Sequence, residues 1–151
     1  MNRKRASSLL VLTALLALNA HAATEAAVCE PTWSEGWIRW IPASGMAMQA
    51  GYGKLRNDCA RPVAVVAARS PLYADVSLHE TVQVDGVSRM REVERLGIGP
   101  GKEIVLQPGG LHLMLMQPAG ELELDQKVPL RLLLADGDSL EVELQVRRDA
   151  P

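Results

Sequence analysis

The sequence predicts an all-β fold, a β-sandwich or Greek-key barrel of mostly antiparallel strands. Three observations carry this. Short runs rich in Val, Leu and Ile recur along the chain, separated by Gly, Pro, Asn and Asp. The last run alternates strictly, Leu140, Val142, Leu144 and Val146 against Glu141, Glu143 and Gln145, which gives one buried and one wet face. Gly and Pro interrupt the chain too often for a long amphipathic helix. In order, the strands fall at 36–41, 48–55, 63–69, 76–84, 87–93, 103–106, 111–116, 128–134 and 140–146. With three Trp, two Tyr and no Phe, the core is built mostly from Val, Leu, Ile and Ala.

The N-terminus reads separately. Arg3, Lys4 and Arg5 precede an apolar run from 9 to 18 and an Ala20-His21-Ala22 cleavage site, the pattern of a secretory signal peptide. The run falls short of the roughly 20 residues that span a bilayer, so no membrane insertion follows cleavage. Domain boundaries are therefore a cleaved signal at 1–22 and one β-domain at 23–151. The full chain carries 16 basic and 18 acidic side chains, a formal charge of −2. Cleavage removes three basic groups, so 13 against 18 leave −5, which argues against nucleic acid as a partner. Export to a bacterial periplasm puts Cys29 and Cys59 in an oxidising compartment, where an even count favours a structural disulfide. No Cys-x-x-Cys spacing supports a redox or metal pair.

Asp85-Gly86 between two β-rich runs signals a two-residue type I′ hairpin. Counting outward sets Val84 opposite Val87, Thr81 opposite Met90 and His79 opposite Glu92. One face then carries Leu78, Val82, Val84, Val87 and Val93, with Glu80, Arg89 and Arg91 intruding. The other carries His79, Thr81, Gln83, Ser88, Met90 and Glu92. His79 and Met90 are diagonal neighbours there, roughly 7–8 Å apart at the backbone. In the 111–116 strand, Leu111, Leu113 and Leu115 face the core, so His112, Met114 and Met116 point away from it.

Two imidazoles and two thioethers form a soft donor set without a carboxylate. Thioethers favour Cu(I), hard cations want oxygen, and zinc asks for thiolate or more histidine. The set predicts one Cu(I) per chain on His79, Met90, His112 and Met114. Met116 is expected to shield the site or pack under a neighbouring loop, with ligation as the alternative, and Met46 and Met48 to pack, with a second, weak copper site as the alternative.

At these residues the chain resembles the periplasmic copper chaperone family PCu(A)C. That family's motif is a histidine, ten residues, a methionine, twenty-one residues, then His-x-Met. Here His79, Met90 and His112-Leu113-Met114 keep that spacing. The frames around Gly51-Tyr52, Leu78–Thr81, Asp85–Arg91 and Gly109–Met116 are similar too, and the likeness spans roughly 37–146. The resemblance implies a cupredoxin-like β-sandwich holding Cu(I) near its surface. It also implies delivery to the dinuclear CuA centre of cytochrome oxidase, alongside Sco-type proteins. Cys29 and Cys59 stand outside the family pattern, and the chain ends without a His- and Met-rich tail.

The expected function is a monomeric metallochaperone, not an enzyme: no nucleophile arrangement competes for these histidines. The alternatives are copper scavenging for resistance without an oxidase acceptor, a cupredoxin-like electron-transfer protein, and a structural or adhesive β-domain. Electron transfer of the blue-copper kind needs a Cys thiolate beside two histidines, and both cysteines lie far upstream of the histidine strands.

Overall fold

A computed structural model describes residues 29–41 and 48–151. The expected signal segment and Met46 lie outside the described residues. All regular structure among the described residues is β: β1 (Thr32–Arg39), β2 (Met48–Asn57), β3 (Val63–Arg69), β4 (Tyr73–Val84), β5 (Val87–Glu92), β6 (Leu96–Ile98), β7 (Lys102–Leu106), β8 (Leu111–Pro118), β9 (Lys127–Leu134) and β10 (Ser139–Arg147). The strands run in the order β5-β4-β8-β2-β1-β10-β9-β3-β6, and a β3–β4 pairing closes seven of them into a barrel. Only β1 and β10 pair in parallel; the other pairs are antiparallel.

Closure buries one face of each barrel strand. Ile38, Leu55, Val65, Leu113, Leu115 and Leu144 are among the fully enclosed side chains, an aliphatic core as the composition requires. Trp37 and Tyr52 add an aromatic contact, with ring centroids 4.7 Å apart. Trp33 lies flat against β2, where a Cβ at Gly53 would meet its ring at 2.3 Å, and its Nε1–H donates to the Glu143 carbonyl. Cys29 and Cys59 form the expected disulfide. Asn57, fully buried, supports the same turn, accepting from the Cys59 N–H and donating to the carbonyls of Arg61 and Ile98.

The differences from the expected strands have local causes. β1 begins four residues before the 36–41 run because its register shifts between Ser34 and Trp37, with Glu35 at φ 52°, and the shift erases the period of two. β6 has three residues, too few for alternation to register; it exists through its pairing with β3.

The hairpin forms as its turn chemistry requires. Asp85 and Gly86 both take positive φ, 52° and 77°, and Val84–Val87, Thr81–Met90 and His79–Glu92 pair in the expected register. Its Leu78/Val82/Val84/Val87/Val93 face is as expected, and it is buried only at its root. Leu78 is in the core, but Val84 and Val87 are exposed. β8 stops pairing with β4 at Glu80–Leu111, so beyond that point, among the described residues, β4 pairs with β5 alone. Glu80 and Arg91, cross-strand partners on that face, form an ion pair at 2.7 Å.

Candidate metal centre

The face of β5-β4-β8 turned away from the core collects the predicted ligands. β4 lies between the other two strands, so His79 has β5 on one side and β8 on the other. His79 pairs directly with His112 across the β4–β8 ladder, and their ring centroids lie 6.0 Å apart. Met114, two residues along β8, pairs with Ser77 and is diagonal to His79. Met90 comes from the edge strand β5, opposite Thr81 and diagonal to His79 on the other side. Period-two alternation puts all four on one face. Their environments are graded: His112 is 6% exposed, His79 and Met114 are half-buried, and Met90 is 56% exposed. The structure thus brings His79, His112 and Met114 together, and leaves Met90 open at the rim.

Each imidazole is held by one nitrogen. His112 Nδ1 lies 3.0 Å from the Gly110 carbonyl, which accepts its proton and leaves Nε2 as the lone-pair donor. The same carbonyl accepts from the Thr81 N–H at 3.1 Å, tying the loop before β8 to β4. His79 Nε2 lies 3.0 Å from Ser77 Oγ. Its Nδ1 is buried without a hydrogen-bond partner among the described residues. A buried polar atom without a partner is costly; in the tautomer that donates Nε2–H to Ser77 Oγ, Nδ1 carries a lone pair that a soft cation satisfies. A hydrogen bond to the remote nitrogen is the usual way in which a metal-binding histidine is oriented. Ser77 and the Gly110 carbonyl are the supporting groups that the residue pattern did not single out. Ser77 was detectable, two residues from His79 and so on its face; the carbonyl depends on the fold of the Gly109-Gly110 turn.

Among the described residues no group of three or more His, Cys, Asp or Glu is gathered to hold an ion. Both cysteines are consumed in the disulfide, so neither offers a thiolate to a blue-copper centre. The methionines divide. Met116 is half-buried beside Met114 on the same face, but Met48 is 46% exposed and does not fill the packing role expected of it. It lies on the outward face of β2, opposite Met116, because the neighbouring Gly51 faces Leu113, Leu115 and Leu144 in the core.

A family model described as LpqE-like, a lipoprotein family, matches residues 32–146. The chain belongs to this family. A Leifsonia xyli subsp. xyli protein described as lipoprotein Lxx21020 is 35% identical over 109 residues, which cover 72% of this chain and 66% of that protein. Among solved structures, the apo PCuAC domain from PmoF1 superposes with a TM-score of 0.64 at 20% identity, covering 80% of this chain and 94% of that one. Apo-DR1885 from Deinococcus radiodurans superposes at 0.62 with 27% identity, covering 95% and 97%. Its CuI-DR1885 form superposes at 0.61 with 27% identity, covering 85% and 84%. The resemblance to the PCu(A)C family read from the His and Met spacing is borne out, as is the all-β barrel.

Proposed function

We propose that the protein is an exported Cu(I) metallochaperone, binding one Cu(I) as cargo through His79, Met90, His112 and Met114 and passing it to the CuA centre of cytochrome oxidase. The observation that carries this reading is the cross-strand His79–His112 pair, each ring anchored by one nitrogen and free at the other, with thioethers on both diagonals. Neutral soft donors suit Cu(I), and thioethers bind it without losing a proton. The similarity to the Cu(I) form of DR1885 supports the same metal.

The graded exposure gives a mechanism of loading and release. His112 and His79 hold the inner side of the ion, and the exposed Met90 closes from the rim by side-chain rotation. Release reverses the order: a partner ligand replaces Met90 first, then Met114, and the histidines last. Each exchange keeps the copper reduced, so the protein is a carrier and not an enzyme. The acceptor is the CuA subunit, with Sco-type proteins acting alongside. The site is complete within one chain, consistent with a monomer. Periplasmic residence accords with the signal pattern, the disulfide and the absence, among the described residues, of a helix long and apolar enough to cross a membrane.

Anaerobic Cu(I) titration of the wild type and of His79→Ala, Met90→Leu, His112→Ala and Met114→Leu tests the site. Each variant should lose more affinity than the roughly 10–100-fold typical of supporting residues. Unchanged affinity in all four would refute the assignment. Mixing the Cu(I) form with apo CuA subunit tests delivery, and no movement of copper would leave scavenging as the function.

A further inference from the structure

We infer that Met48, Met116 and Asp75 form a second, weaker Cu(I) station beside the first, a place where the ion rests on its way to or from the histidines. The inference rests on the Cu(I) reading above and extends it along the same sheet face. Met48 on β2 pairs directly with Met116 on β8, and Met116 pairs on its other side with Asp75 on β4. The row Met48-Met116-Asp75 therefore crosses three adjacent strands. Directly opposed residues have Cβ atoms about 4.5–5.5 Å apart, which lets the two thioether sulfurs share one ion. The row lies one step along the face from Ala50-Met114-Ser77, and two steps from His112-His79. Each step is two residues, roughly 7 Å.

Packing does not account for these side chains. Met48 is 46% exposed, and with Met90 it is one of two methionines among the exposed large hydrophobic residues described. Asp75 is exposed and joins no ion pair among the described residues. Two thioethers prefer a soft monovalent cation, and one carboxylate cancels its charge without supplying the oxygen cage that Ca²⁺ or Mg²⁺ requires. Met114 and Met116 share the outward face of β8, so an ion leaving Met48 and Met116 meets Met114 next. Its sulfur replaces that of Met48 with no change in oxidation state. With no imidazole, this row binds more weakly than the first and fills second.

The test is anaerobic Cu(I) titration of the protein labelled at its methionine methyls with ¹³C, repeated with Ag(I). Met90 and Met114 methyls should shift over the first equivalent, and Met48 and Met116 over the second. Met48→Leu/Met116→Leu should bind one equivalent with the first-step shifts intact. Asp75→Asn should weaken the second step roughly threefold, the effect of one unit charge about 6 Å away in a water-like dielectric. Static Met48 and Met116 methyls while Met90 and Met114 move would overturn this inference and leave the histidine site standing. Movement of Met48 and Met116 alone would overturn the histidine site and, with it, this row as a weaker station that fills second. If none of the four moves, both fall.

Discussion

Replacing Cys29 and Cys59 together by serine separates what holds the fold from what holds the metal. The bridge joins residues 30 apart in sequence, with Cα atoms 5.7 Å apart. For a loop of that length the chain-entropy model gives about 3.6 kcal/mol of lost stability, a large share of the roughly 5–15 kcal/mol available to a domain. The proposed copper site should not notice. Cys59 lies just beyond the Asn57 end of β2, whereas Met114 pairs with Ala50 seven residues earlier, a separation of roughly 23 Å along the strand. Urea unfolding followed by Trp fluorescence measures the first quantity, and competition with a chromophoric Cu(I) chelator the second. The expected outcome is a midpoint moved to much lower urea with Cu(I) affinity unchanged. A loss below about 1 kcal/mol would mean that Asn57 and its three hydrogen bonds hold the turn unaided. Loss of Cu(I) binding by the folded variant would refute the division of labour between cysteine and methionine.

Two further outcomes concern single side chains. Ser77→Ala removes the partner of His79 Nε2 and should lower Cu(I) affinity roughly 10–100-fold without unfolding the protein, as read by chelator competition beside circular dichroism; unchanged affinity would show that Ser77 does not orient the ring. Burial pushes the Tyr73 phenol from 10.0 up to about 12, and burial raises that of Tyr52 as well. Between pH 10 and 12 the unfolded chain loses these protons before the folded one, so their stabilisation is complete below pH 10 and is lost as pH rises through about 12. Urea midpoints should fall across that window, and less steeply in Tyr73→Phe; parallel declines would count against Tyr73 as a source.

Where pairing is local, the residues alone were enough to read it. Asp85-Gly86 dictates its turn, and the turn dictates which residue of β4 opposes which of β5. The alternation in 111–116 likewise assigns its faces without help, since leucine goes inward. Reading failed where a feature depends on a distant strand. The bulge in β1 arises in its pairing with β2, three-residue β6 exists because β3 accepts it, and the hairpin's valines are exposed beyond the point where β8 stops pairing with β4.

The amino-acid sequence by itself determined the donors of the proposed site: two histidines and two methionines at fixed spacings, on strand faces turned away from the core. It could not determine that β4 and β8 are neighbours, since 26 residues lie between them and any of several strands satisfies the same hydrophobic pattern. Barrel closure decided that. It set His79 against His112, supplied Ser77 and the Gly110 carbonyl as their anchors, and laid Met48 beside Met116. Period and turn chemistry act over a few residues, whereas the proposed metal site, gathered from three strands, comes into being only when the sheet is ordered.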